Sequence, residues 1–383
     1  MTPAVGLPAA EAVPAPPRAV APPVQRVATV RLALGAALLA GQWAFIAGAA
    51  WDIQWHLAVG RDHPLTPPHL LLLAGIAFTG VLALAGVLGW TRSGRDGVRF
   101  LGAFRAPLGL YLAGFGAFLA AIAFPLDDYW HRLYGLDVTI WAPFHVMIVG
   151  GMALAALGTA YTFAPVTRRA GLGASVGVSW GLATVAGTWL ILLAQALDRD
   201  GILALRPQPA IVFPPLLVVL VVPWLVAAAP AIPVPGGATL AALLLTVMRA
   251  ALAAFVPWAV QATALAEGLP MRPAAPPFAV TPLAFPASVI LAGLLVDGLW
   301  WLAHTRRLAL PTLPTLLLAG TVAGIVLAVL DRPWAITLPL TRAGRGIDVQ
   351  AALVTALPAV AVCGLLGAAL GAGLGAALRR VRA

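Results

Sequence analysis

Two stretches of this chain place one carboxylate and two imidazoles at matched spacing. Asp52 precedes His56 by four residues, and His69 follows after twelve more; Asp127, His131 and His145 repeat the order, with thirteen residues in the second gap. Residues four apart share one face of a helix, one turn from each other. Pro67 and Pro68 ahead of His69, and Pro143 ahead of His145, suit the turn into a returning helix and its first position. The chain reversal then brings the third group back toward the first two. One carboxylate oxygen and two imidazole nitrogens leave coordination positions for water, dioxygen or substrate, as catalytic metal sites require.

The same residues also suit a blander role, because the outward ends of membrane helices collect Trp, His and Asp as an aromatic belt with helix caps. A duplication shifts the balance toward metal. In "WDIQWHLAVGRDHPLTPPH" and "LDDYWHRLYGLDVTIWAPFH", residues Asp52, Trp55, His56, Gly60, Asp62, Pro68 and His69 fall on Asp127, Trp130, His131, Gly135, Asp137, Pro143 and His145, with one inserted residue between the last two. Four of the six histidines thus occupy equivalent positions. The helices around them read as parallel repeats related by an axis along the membrane normal. Nitrogen and oxygen donors fit copper, zinc, iron or nickel, and the Irving–Williams order favours copper. With five methionines and Cys363 as the one cysteine, the chain has no soft sulfur relay for Cu(I), no internal disulfide and no CxxC site.

These sites need elements to hold them, and the composition says which. The 383 residues are 61% hydrophobic and 9% charged, with a mean hydropathy of +0.96. That lies outside the range of soluble domains and predicts an all-α, polytopic transmembrane bundle. Apolar windows long enough for a ~30 Å hydrocarbon core recur about ten times, the third of them over 101–125. The prolines between 209 and 259 are positioned to break or kink a span. The net charge of +10 is carried by arginine, and much of it flanks helices. It therefore reads as contact with the lipid bilayer surface, and no nucleic-acid partner is expected. Alternate arginine-bearing loops place both termini in the cytoplasm and the metal sites toward the outer face, in a bacterial-type inner (plasma) membrane. Residues 1–25 read as a disordered cytoplasmic tail, 26–166 as a duplicated four-helix metal-binding unit, and 167–383 as a six-helix membrane region of unassigned role.

Other polar residues carry two readings each. Asp62 and Asp137 suit either helix caps or acceptors for a ligand histidine's other N–H, which would fix its tautomer. His63 has no counterpart in the duplicate, and Asp128 neighbours Asp127 without the four-residue spacing. Asp297 and His304 are seven apart on one helix face; an acid inside a span is a candidate proton or quinol site, or half of a polar lock to a neighbouring helix or to Arg249. The run "GAALGAGLGAAL" reads as a close helix-packing face.

The combined pattern resembles the C subunit of the particulate methane and ammonia monooxygenases, the copper membrane monooxygenase family, over about residues 45–150. The resemblance is carried by Asp52, His56 and His69, by Asp127, His131 and His145, and by the supporting Arg61-Asp62, Thr66-Pro67 and Ala142-Pro143. It implies copper at both triads, an oxidoreductase hydroxylating a small hydrocarbon or ammonia, a hetero-oligomer with other monooxygenase subunits including one with an outward-facing copper domain, and a quinol as electron donor. Two departures stand out. Asp127 occupies a position that is usually Asn in that family, and the triads come early in a chain with more helices than the roughly six that suffice there. A transporter or metal permease with an outward-facing Asp/His site is the alternative.

Overall fold

The computed structural model describes residues 24–60, 65–135, 141–194, 209–272, 286–304, 312–331 and 349–382. Helices α1 (Val24–Ala58), α2 (Pro67–Arg92), α3 (Leu108–Tyr134) and α4 (Pro143–Phe163) lead through a 3-10 turn, Ala164–Val166, into α5 (Thr167–Ala194). They are followed by α6 (Pro209–Ala231), α7 (Gly237–Ala266), α8 (Pro286–His304), α9 (Thr312–Leu330) and α10 (Val349–Arg382). The expected tail 1–25 lies almost wholly outside the described residues.

Among the described residues, eight helical stretches are long and apolar enough to cross a membrane. The sequence windows are more numerous because Pro143–Leu193 runs as one stretch through α4 and α5, and because α8 contributes a shorter apolar helix, Ala287–Ala303. The chain bends inside α5 at Gly171, whose φ of 56° and ψ of −126° only glycine adopts readily. The prolines of the sixth window do not break it: α6 runs through Pro214, Pro215, Pro223 and Pro230. Neighbouring helices make such prolines tolerable in spanning segments.

The all-α bundle carries one local exception. Residues 93–107 carry a short antiparallel hairpin, β1 (Val98–Phe100) and β2 (Phe104–Ala106), and α3 begins at Leu108, not at 101. Alternation of Val98, Phe100, Phe104 and Ala106 with Arg99 and Arg105 gives the segment a period of two, which suits a strand. The hairpin is pinned to the end of α2: Trp90 Nε1 donates to the Asp96 carbonyl, and the Arg105 amide donates to Thr91 Oγ1.

One core extends from Leu39 in α1 to Leu378 in α10. Buried Gln42 Nε2 donates to Thr159 Oγ1 across α1 and α4 at 2.7 Å. The ring of Phe163 fills the space beside Gly35 and Gly177, where an added Cβ would lie 2.4 and 2.5 Å from ring atoms.

The duplication reaches deeper than the loop motifs. Gly41 and Gly116 each stand eleven residues ahead of their aspartate, while Gly75 and Gly151 each stand six residues after their second histidine. A Cβ on Gly75 would lie 2.6 Å from the Gly41 carbonyl oxygen, and a Cβ on Gly151 would lie 2.5 Å from that of Gly116. α1 with α2, and α3 with α4, therefore touch backbone to backbone at equivalent levels, as small residues permit in spanning bundles. These contacts set how far apart the ligand-bearing ends stand.

Candidate metal centres

Each triad is built by one helix end, one turn and one helix start. Asp52 and His56 lie on the last turns of α1, and Asp127 and His131 on those of α3. Both helices close on a glycine with positive φ, Gly60 at 76° and Gly135 at 94°, in the backbone region that favours glycine. The returning helices begin with proline at their first position, Pro67 in α2 and Pro143 in α4, and His69 and His145 are each the third residue. The equivalence of Pro68 with Pro143 is corrected accordingly to Pro67 with Pro143, because the helix start fixes the register.

The six predicted ligands come together as two sets of three, the donor atoms of each set lying within 4.8 Å of one another. In the first, Asp52 Oδ2 is 3.5 Å from His56 Nε2, and Oδ1 is 3.2 Å from His69 Nε2. In the second, Asp127 Oδ2 is 3.2 Å from His131 Nε2 and 3.0 Å from His145 Nε2. Ligands about 2.1 Å from a tetrahedral ion stand about 3.4 Å apart, so this spacing is that of coordination edges. The imidazole pairs are tilted, with ring centroids 6.3 Å apart in the first centre and 5.4 Å in the second.

Carboxylate oxygens at both centres lack ordinary hydrogen-bond partners. Asp127 is buried and, among the described residues, its Oδ1 accepts no hydrogen bond and Asp52 Oδ1 accepts none of ordinary geometry, despite the nearby imidazole. Buried carboxylate oxygens are normally satisfied, and a cation between the three donors would satisfy these. At the second centre His131 Nδ1 lies 3.3 Å from the Gly135 carbonyl oxygen, which can only accept, so a neutral ring with its proton on Nδ1 would turn the lone pair of Nε2 toward Asp127. A lone pair facing a carboxylate oxygen repels it unless a proton or metal ion lies between. Nitrogen and oxygen donors in this number fit a divalent first-row ion with an open position.

The surroundings contain residues with no signal in the spacing. Phe124 of α3 meets the His69 ring edge-on at 5.7 Å, joining the first centre to the helix that carries Asp127. Trp51, beside Asp52, packs edge-on against Phe255 of α7. The Arg272 amide donates to the Ala58 carbonyl at 2.7 Å, holding the chain beyond α7 against the end of α1. Asp128 is turned away from the triad and pairs with Arg132.

Asp62, His63 and Asp137 lie outside the described residues. Asp297 is buried in α8, and it contacts the N-terminus of α7 rather than Arg249. Its carboxylate accepts from the Ala238 amide at 3.1 Å and from the Thr239 amide and hydroxyl at 2.7 Å. This satisfies backbone donors that a helix start leaves open, which is the helix-locking reading. The side chain of His304 lies outside the described residues. No known protein family, curated protein or solved structure matches the chain.

Proposed function

We propose that this chain is a membrane-embedded copper-binding subunit of an oxygen-activating monooxygenase that hydroxylates a small hydrocarbon or ammonia. One observation carries the metal-binding part: His131 Nε2, with Nδ1 tied to the Gly135 carbonyl, faces Asp127 Oδ2 alongside His145 Nε2. Zinc and iron fit the same donors. The oxygenase part is supported by the residue pattern that resembles the C subunits of copper membrane monooxygenases.

In this reading His56, His69, His131 and His145 bind through nitrogen, and Asp52 and Asp127 offset the ion's charge. Bound copper would supply the capacity to bind dioxygen and deliver electrons to it. The chain's own residues orient and shield: Phe124 covers one side of the first centre, and Trp130 packs edge-on against Phe144, joining the two helices that carry the second. Electrons come from a quinol or another subunit, and a partner subunit carries an outward-facing copper domain. The centres sit toward the outer face of a bacterial-type inner membrane.

Metal analysis with paramagnetic resonance on purified protein tests this reading, comparing wild type with His56→Ala and His131→Ala. Wild type should hold two ions per chain and each variant one. Equal metal in all three removes the site assignment. Metal accumulation in liposomes containing this chain alone, with no partner subunits on purification from native membranes, would favour a permease over an oxygenase.

A further inference from the structure

On the side of the first four helices where α2 and α3 meet, a cavity of about 530 Å³ opens between them. It runs from Ile76 and Ala121 to Val87, Leu110 and Phe104, and apart from Tyr111 its lining is apolar. Its room comes from small residues. A Cβ on Gly114 would meet that of Ala83 at 3.5 Å, and one on Gly80 would meet that of Ala117 at 3.4 Å. The lining residues Val81, Leu84 and Phe118 are exposed, so the cavity opens sideways, where lipid surrounds a membrane protein. From Ile76 to Val87 a helix rises about 16 Å, which is about half of a ~30 Å hydrocarbon core. The cavity therefore has the depth of one leaflet.

Its other end is capped by the hairpin, and there the charge is unbalanced. Arg99 and Arg105 are direct partners across the two strands. Like charges directly opposite destabilise a ladder, and a lone two-stranded hairpin is marginal to begin with. Asp96 offers partial relief, 3.8 Å from Arg105 and itself fully exposed, while Arg92 and Arg95 add further positive charge nearby. The next cross-strand pair, Phe100 and Phe104, lines the cavity. One short element thus has an apolar face on the cavity and a paired cationic face one residue away.

We propose that this cavity holds an acyl chain of an anionic phospholipid, whose phosphate sits between Arg99 and Arg105. The chain fills leaflet-deep apolar space, and the headgroup relieves the repulsion across the hairpin. The site depends on the membrane character of the protein and not on either metal centre.

Full-length protein in mild detergent, stripped of lipid and offered phosphatidylglycerol or phosphatidylcholine with identical acyl chains, is read by native mass spectrometry. Wild type should retain one phosphatidylglycerol per chain with a preference of roughly tenfold or more, from two arginines facing one anionic headgroup. The Arg99→Gln/Arg105→Gln variant should lose that preference, and Arg99→Lys/Arg105→Lys should keep it. Gly114→Leu, which fills the cavity and leaves the arginines intact, should lose retention of both lipids. Equal retention of the two lipids by wild type, or an unchanged preference in Arg99→Gln/Arg105→Gln, overturns the proposal. So does inorganic phosphate, if it raises thermal stability as much as phosphatidylglycerol does.

Discussion

Nδ1 of His131 lies 3.3 Å from the carbonyl oxygen of Gly135, the residue that ends α3. The contact spans four residues and couples a backbone conformation to the orientation of a ligand ring. Gly135 has φ 94° and ψ 166°, a combination that residues with a Cβ adopt at a cost of about 1–3 kcal/mol. Gly135→Ala should therefore turn the carbonyl and release the ring. Metal affinity at the second centre should fall roughly ten- to a hundredfold, with the first unchanged. Site-resolved metal titration checks this, using His131→Ala to isolate the first centre.

The glycine contacts midway along the hairpins should be intolerant of a methyl group. A Cβ on Gly116 would lie 2.3 Å from the Gly151 carbonyl oxygen, and backbone cannot step aside as a side chain can. Gly116→Ala should cost about 1–3 kcal/mol and loosen the second centre by parting α3 from α4. Gly298→Ala in α8, where an added Cβ meets nothing within 4 Å, should instead stabilise by about 0.5–1 kcal/mol. Thermal unfolding in detergent separates the two outcomes.

Much of the site was legible because its rules are local. Asp52 with His56 and Asp127 with His131 follow from the helical repeat, and the prolines mark where the chain turns back. The equivalent glycines Gly41, Gly75, Gly116 and Gly151 were equally present in the sequence, but glycine abounds in such chains and only contact distances single these four out. The β-hairpin is not legible there, because three-residue strands carry too little periodicity to compete with an apolar window starting at 101. The partners of Asp297 were illegible for another reason. They belong to the start of α7, nearly sixty residues away, and only the packed bundle brings them together.

Asp297 acts as a cap supplied by another helix. Asp297→Ala removes an acceptor shared by three donors and should cost about 0.5–2 kcal/mol, while Asp297→Asn keeps an acceptor and should cost less. Metal content should stay at the wild-type value in both. Loss of quinol-driven turnover in Asp297→Asn at wild-type stability would instead assign this carboxylate a proton-handling role.

Gln42 and Thr159 form a buried polar pair between α1 and α4. Thr159→Val leaves the Gln42 amide without its acceptor and should cost about 1–3 kcal/mol, whereas Gln42→Leu with Thr159→Val should recover most of that loss. Unfolding midpoints of the two single variants and the double variant give the coupling between them.

The ring contact between His69 and Phe124 puts both centres at the same end of the first four helices. Two ions there would rivet each helical pair at its tip, above the glycine contacts that already fasten it midway. The far ends, joined by a short ribbon and followed by the bend at Gly171, are closed by packing instead: a Cβ on Gly109 would lie 2.4 Å from the Gly158 carbonyl oxygen. Loading with metal would then stiffen one rim of the bundle and leave the opposite rim as packing alone sets it, giving this part of the molecule a mechanical polarity set by ion occupancy.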